Sequence, residues 1–502
     1  MQKHPVIPKK YLLSFILVTI LFALWGFANN FTDPLVKVFK DVFAISNAQS
    51  SVVQMAFYGG YATMAIPAAL FIRKFSYKAG ILVGLGLFAT GAMLSIPAAN
   101  NVNFWLFIVA IYILTFGLAF LETTANPYIL SMGHESTSTQ RLNLAQAFNP
   151  IGSLSGAFIA ASFVLTGIKV SDFKNDVSGF KDEFAIEKKE QVELNILPFL
   201  KAEPKERKND EGVKAYVQNK TSEETTVDGA LADFREGTIS SYQGESFKEI
   251  QRHDLNLVST TYMNLGLVVL AVLVIFVIKK MPSSQDEDSD EDLNFNTFSK
   301  LMIDFNDTFS RLMKNPRYVW GVVAQMFYVG AQIMVWTFII HYAEAIGMDI
   351  ATAGNHQIAA LVLFLSFRFI CTAFLKYVSP GLLLGLLASA GIVFTMGAIY
   401  LTGMTGLYSL MFISACMSLM FPTIYGMALE GVGQDAKLGS AGLILAIVGA
   451  VWLTRFQAQI LDLETFMGIA SVRGSFYLTV ACFAIIAVYG FAFKKPRQVM
   501  EA

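Results

Sequence analysis

Leu21 to Val36 reads LFALWGFANNFTDPLV, and Ile113 to Leu130 reads ILTFGLAFLETTANPYIL. Each is an apolar run holding one carboxylate, Asp33 in the first and Glu122 in the second. A spanning helix needs about 20 mostly apolar residues, and a charge at its centre costs roughly 2.5 to 3.5 kcal/mol on insertion scales. An acid kept at such a position marks a functional site by default, and the rest of the chain is read around these two.

The composition agrees with a bilayer as solvent. Of 502 residues, 54% are hydrophobic and only 15% charged, where a soluble domain carries roughly 25% charged residues. The fold class read from this is an all-α, polytopic membrane protein. A net charge of −1 and the lack of a basic stripe interleaved with aromatics leave no footprint for nucleic acid. There is no Walker loop, dinucleotide fingerprint or catalytic constellation, so an ATP-driven pump and an enzyme are both poorly supported. Cys371, Cys416 and Cys482 sit in apolar runs and read as small buried hydrophobes; their spacing gives neither a disulfide framework nor a metal site, and no cofactor is expected. The expected partners are the lipid bilayer and a small solute.

Walking the chain at spanning length gives six runs in the first half: about Tyr11 to Phe31, Ala48 to Ile72, Gly80 to Ala99, Phe104 to Met132, Leu142 to Gly167 and Leu255 to Ile278. The second half gives six more, about Tyr318 to Ala345, Thr352 to Tyr377, Pro380 to Thr402, Gly406 to Glu430, Lys437 to Leu461 and Ser471 to Phe493. An even count puts both termini on one side. Lys3, Lys9 and Lys10, then Arg73, Lys74 and Lys78, then Lys494, Lys495 and Arg497 place that side in the cytoplasm. The first run is long for a signal peptide and no cleavage-type site follows it, so it reads as a retained helix.

Two polar segments divide the chain. The expected domains are an N-terminal bundle, 1–168 with helices one to five and 255–279 with helix six; an extracytoplasmic insert, 169–254; a cytoplasmic linker, 280–316; and a C-terminal six-helix bundle, 317–502. The insert mixes charge with scattered apolar residues, and both a small folded cap and a solvated excursion fit it. The acidic run Asp286 to Asp292 in the linker reads as a solvated stretch. Without the insert the halves have similar length, and ANPYIL before one Gly-spaced helix is echoed by FPTIYG before another. Parallel six-helix halves about an axis normal to the membrane hold a substrate between them near the midplane in major facilitator transporters.

Polar side chains gather on helix faces in the same region. Asn30 and Asp33 are i,i+3 on helix one, Glu122 and Asn126 are i,i+4 on helix four, and Asn143, Gln146 and Asn149 repeat at i+3 on helix five. On helix seven Gln325, Tyr328, Gln332 and Trp336 form one stripe. Amides and carboxylates suit a ring of sugar hydroxyls, and an aromatic face suits its C–H patch. The alternatives stay open: amides as interhelical glue, Tyr328 and Trp336 as packing, and Thr32-Asp33-Pro34 as an external helix end bearing an exposed acid. Arg368 in FLSFRFICTAF either snorkels toward the Lys376 edge, the preferred reading, or pairs with an acid across the bundle.

ANNFTDPL, FYGGYATMAIPAALFIRKFSYKAG, FLETTANPY, RLNLAQAFN, FYVGAQIMVW and FPTIYGMALEGVGQDAKLGS resemble segments of the fucose-galactose-glucose:proton symporters of the major facilitator superfamily. The resemblance covers nearly all the chain except the insert and the linker. A glutamate before the helix-four ANPY is similar to L-fucose symporter-like members, whereas glucose/galactose relatives tend to carry an uncharged residue there.

The resemblance implies twelve helices in two pseudo-symmetric bundles and proton-coupled uptake of L-fucose or a related monosaccharide by alternating access. The symporter is expected to work as a monomer in the cell (inner) membrane, with helices one, four, five and seven lining the cavity. It implies proton coupling at Asp33 and Glu122, and sugar contacts from Glu122, Asn30, Asn126, Gln146, Asn149, Tyr328, Gln332 and Trp336. Galactose, glucose and N-acetylglucosamine stand as alternative sugars; a passive facilitator and a non-transporting sugar receptor stand as rival functions. Arg73 and Lys74 resemble a degenerate gating motif without its acidic member, and Arg455 with Trp452 departs from the proline and small residues of relatives, a change expected to touch packing or gating.

Overall fold

The computed structural model describes residues 4–45, 49, 52–190, 210–220, 226–282, 298–348, 350–461 and 463–494; the side chain of Asp33 falls outside the described residues, as does the acidic run of the linker. Among the described residues 12 helices are long and apolar enough to cross a bilayer, in agreement with the twelve runs read from the sequence.

In chain order the first five spans are α1 (Leu12–Val42), α2 (Val52–Lys74), α3 (Tyr77–Asn100), α4 (Phe104–Ser131) and a broken span made of α5 (Ser138–Gln146) and α6 (Asn149–Ile159). Then come α7 (Lys169–Glu190), α8 (Glu211–Asn219) and α9 (Val227–Glu236) of the insert, the sixth span α10 (Phe247–Ile278), and α11 (Phe298–Met313) of the linker. The second half holds α12 (Pro316–Ala345), α13 (Ile350–Phe374), α14 (Pro380–Tyr400), a second broken span of α15 (Met404–Met417) and α16 (Met420–Ala428), then α17 (Ala436–Leu461), the short α18 (Ser471–Gly474) and α19 (Tyr477–Ala492).

Two helices run past the apolar runs that reveal them. α1 has 31 residues, about 46 Å at 1.5 Å per residue, against a hydrocarbon core of about 30 Å. It passes through Thr32-Asp33-Pro34 and ends nine residues beyond Asp33, at Val42, so the reading of that tripeptide as a helix end is corrected. Thr32 is buried and hydrogen-bonds Tyr262 of α10 at 3.0 Å. The sixth span likewise starts at Phe247, before the expected Leu255, because Ser246 and Glu249 form a capping box there.

Close helix approach positions the polar faces. A Cβ on Gly152 would run into the Ala23 carbonyl, and one on Gly156 into that of Phe27. The small residues of GSLSG therefore let α6 lie backbone to backbone against α1. That contact brings Asn149 within 3.2 Å of the Phe22 carbonyl, to which its Nδ2 donates.

The described part of the insert is a folded cap with its own core. Phe173 stacks on Phe234 at 4.8 Å and meets Tyr242 edge-on at 5.3 Å. Asp254 accepts from the backbone N–H groups of Lys169 and Val170 at 2.9 and 3.0 Å and so ties α7 to α10. Lys174 reaches Asp41 near the C-terminal end of α1 and Asp228 of α9, at 2.7 and 2.8 Å. Burial works against the Lys174 charge, but the two carboxylates outweigh it and hold the ammonium above its ordinary range. The Lys174 hydrogen bond holds the Asp228 carboxyl below the usual carboxylate range. The Lys174 contribution is complete below the ordinary lysine range and is lost as pH rises past it, while that of Asp228 is complete above the ordinary carboxylate range and is lost as pH falls below it. The Lys174 pairing is thus insensitive to pH across neutrality.

Lys174→Met is predicted to strand Asp41, whose side chain is 4% exposed, and to destabilise the protein by about 2 kcal/mol, less than a fully buried pair because the lysine is partly solvated. Thermal unfolding in detergent reads this directly. An unchanged melting temperature would show that the cap is not held by the pair.

On the face that carries the termini, Arg73 at the end of α2 is buried and meets Asp304 of α11 at 2.6 Å and Asp435 at 3.8 Å, and Arg311 of α11 meets Asp435 at 2.7 Å. The acid missing from the local motif is supplied by the linker helix and by the loop before α17. Gly431 N donates to Glu135, and Gln140 donates to the Thr372 carbonyl at 3.4 Å. These ties draw the two halves together on that face.

Candidate functional site

Between the halves lies a cavity whose empty volume, mouth included, is about 1130 Å³. The first half contributes Trp25, Asn29 and Asn30 from α1, Phe57, Tyr58 and Tyr61 from α2, and Gln146 and Asn149 flanking the break in span five. The second half contributes Tyr328, Gln332 and Trp336 from α12, Phe364 and Arg368 from α13, and Phe421 from α16. Because the ties on the terminal face close that side, the cavity opens toward the face bearing the insert.

Six of the residues read from the sequence meet in this lining: Asn30, Gln146, Asn149, Tyr328, Gln332 and Trp336. Asn30 donates weakly to the Gly26 carbonyl at 3.4 Å. Tyr328 donates to the Met417 carbonyl at 3.3 Å, and Trp336 Nε1 to Ser414 Oγ at 3.3 Å. The Trp336 ring packs edge-on to Phe364 at 5.0 Å, giving an aromatic wall opposite the amides of the first half.

Glu122 and Asn126 lie behind the floor, outside the lining. Asn126 is fully buried; its Nδ2 donates to the Glu122 carbonyl at 3.0 Å, and its Oδ1 accepts from Gln146 Nε2 at 2.7 Å. Gln146 thus has one end in the cavity wall and the other on the turn that carries Glu122. The Glu122 side chain is 2% exposed, and neither carboxyl oxygen has a hydrogen-bond partner among the described residues. Among the described residues a negative charge there finds neither a donor nor a paired cation, which is expensive in a medium of low dielectric constant. Asp33 lies in α1, one turn past the lining residues Asn29 and Asn30 and just beyond the apolar stretch Lys9–Thr32.

Asn143 turns away from the cavity and donates to Thr423 Oγ1 of α16 at 3.1 Å, the glue role of an intramembrane amide. Gln325 is fully buried outside the lining, and both of its amide atoms lack partners among the described residues.

The sequence reading missed the aromatic residues of α2 and misjudged Arg368. Trp25 Nε1 donates to Tyr61 OH at 2.7 Å, a contact with no signature in a chain of 43 Phe, 18 Tyr and 5 Trp. Arg368 does not snorkel to the helix end. It is 3% exposed in the cavity wall, over the Phe364 ring at 4.8 Å, donating to the carbonyls of Ser418 at 2.5 Å and Gln146 at 3.0 Å. Among the described lining residues it is the one charged side chain. Arg455 is exposed beside Trp452 and Phe456 on the outer surface of α17 and does not line the cavity.

The arrangement is a cavity between two helical bundles, with a buried acid joined to its wall through amides. Residues 15–171 match the family described as Major Facilitator Superfamily. The chain is 44% identical over 486 residues to an L-fucose-proton symporter of Haemophilus influenzae, covering 97% of both chains. It is 30% identical over 484 residues to an L-fucose-proton symporter of Escherichia coli, covering 96% of this chain and 93% of that one. The solved structure of a Major Facilitator Superfamily transporter, FucP, in the outward conformation superposes with a TM-score of 0.74 at 28% identity, over 97% of this chain and 100% of that one.

Proposed function

Because the chain belongs to the major facilitator superfamily, among its L-fucose-proton symporter-like members, we propose that it is a secondary active transporter that couples entry of L-fucose to entry of a proton by alternating access. The observation that carries this reading is the placement of a carboxylate without a partner among the described residues, Glu122, one amide pair behind a cavity lined by amides and aromatics. A site for a neutral polyol alone has no use for such an acid, and a passive facilitator has no reason to retain it.

The cavity side chains divide the work. Asn30, Gln146, Asn149 and Gln332 offer donors and acceptors for hydroxyls, while Trp336, with Tyr328 two turns before it on α12, offers an aromatic face to the sugar's C–H patch. Glu122 and Asp33 carry the proton. The halves reorient only when Glu122 is neutral, because its buried carboxyl has no hydrogen-bond partner among the described residues to stabilise a charge in a medium of low dielectric constant. Loading of sugar and proton therefore precedes reorientation, and release to the other side lets the carboxylate ionise again. Asn126 acts as the link between them rather than as a first contact, since it holds both Gln146 and the Glu122 turn. On this reading the protein works as a monomer in the cell (inner) membrane, and the basic residues beside α1, α2 and α19 support a cytoplasmic side for both termini.

Competition by unlabelled monosaccharides for L-fucose bound to purified protein tests the substrate. L-Fucose displaces the label best, and D-glucose, D-galactose and N-acetylglucosamine displace it poorly. Preferential displacement by one of those hexoses would reassign the sugar, and displacement by none of the four would reject the reading.

A further inference from the structure

Arg368 is bonded to two carbonyls that share an uncommon origin. In a helix each carbonyl accepts from the N–H four residues on, and proline has none to give. Pro150 stands four residues after Gln146, and Pro422 four after Ser418, so both carbonyls are orphaned and both spans break there, between α5 and α6 and between α15 and α16. Arg368 donates to each of them, Nε to Ser418 O and Nη1 to Gln146 O. The first bond stays within the second half of the chain; the other crosses to the first half, directly under the cavity. Pro127 likewise orphans the Thr123 carbonyl on α4; the Ser440 hydroxyl of α17 lies 3.1 Å from it, but lies closer, at 2.7 Å, to its own Lys437 carbonyl.

We infer that Arg368 is a positioning residue of the transport cycle, the latch that holds the halves together beneath the cavity by capping the proline-freed Gln146 carbonyl. The inference rests on the alternating-access reading above. A proline-freed carbonyl has no partner within its own helix, so its bond to the other half is specific to the state in which that side is closed. When the halves part there, the carbonyl must find water instead. Arg368 also grips the residue whose side chain holds Asn126, and Asn126 holds the Glu122 turn. Opening the latch therefore frees the same strand of hydrogen bonds that ends at the buried acid, which couples release of the closed side to the environment of Glu122.

The test reads which side of the membrane reaches the cavity, in the absence of sugar. Ser153 lines the cavity, and Ser153→Cys is a near-isosteric reporter; the three native cysteines are buried, and the parent without the reporter gives their background. In vesicles of both orientations, labelling by a membrane-impermeant maleimide is faster from the insert side. Arg368→Gln lowers the ratio of insert-side to terminal-side labelling by about tenfold or more, the effect of losing a charge-assisted hydrogen bond from one of two states. Pro150→Ala removes no polar group and returns an N–H to the Gln146 carbonyl, so it shifts the ratio the same way and keeps the inference testable if Arg368→Gln does not fold. A Pro150→Ala protein labelled like the parent from both sides, or a folded Arg368→Gln protein so labelled, overturns the latch. Neither outcome depends on which sugar is carried, so failure here is distinct from failure of the L-fucose assignment.

Discussion

Glu122→Gln abolishes proton-driven accumulation of sugar in a protein that still folds and inserts. The amide has nearly the volume of the acid and cannot exchange a proton, so the step that links the pH gradient to the sugar gradient is lost. Folding survives because the carboxylate has no hydrogen-bond partner to lose among the described residues, and an uncharged group is cheaper to bury there. Sugar binding weakens by about tenfold or less, since the side chain acts from behind Gln146 and Asn126 and not from the cavity wall. Accumulation of labelled sugar in proteoliposomes with an imposed pH gradient measures the first effect, and equilibrium binding the second. Accumulation at the parent rate removes Glu122 from the coupling role.

Asp33→Asn separates coupling from movement. The neutral amide resembles the protonated acid, so the loaded carrier still reorients and exchange of sugar between two loaded sides continues. Net accumulation fails, because the empty carrier must return deprotonated and an amide cannot set that condition. The expected result is exchange within about threefold of the parent, a change below 1 kcal/mol in barrier, with the pH dependence of accumulation gone. Asp33 lies inside α1, nine residues from its end, next to Thr32, which is bonded to α10. A variant whose accumulation keeps the parent's pH dependence would return Asp33 to the role of an ordinary acid near the outer surface.

The twelve spans were legible because each is an apolar run of the length a bilayer imposes, and nothing else in a chain has that length. Their ends were not. α1 continues to Val42 and α10 begins at Phe247, where charged and polar residues carry the helix into the cap; hydropathy stops at the membrane surface while backbone hydrogen bonding does not. The acidic motif partner of Arg73 was invisible for a related reason, since Asp304 and Asp435 come from segments more than 200 residues away.

The first-half amides were picked out by spacing, Asn30 with Asp33 and Gln146 with Asn149 each three residues apart, and a polar face on a membrane helix has few uses. The same spacing misassigned Asn143 to that face, and the break after Gln146 explains it: the helix restarts at Asn149, so the three residues do not share one continuous stripe. Arg368 shows the limit most clearly. FLSFRFICTAF contains the charge but not its partners, and those partners are carbonyls exposed by prolines on two other spans. No periodicity within α13 records that.

The central claim is that sugar and proton cross together, and the direct measurement is proton movement in step with sugar entry. Purified protein in proteoliposomes loaded with a pH-sensitive dye, with no imposed gradient, is given L-fucose outside. The account predicts acidification of the lumen that follows labelled L-fucose entry in time and dose and is absent from Glu122→Gln vesicles. Entry of L-fucose with no change in luminal pH would contradict it.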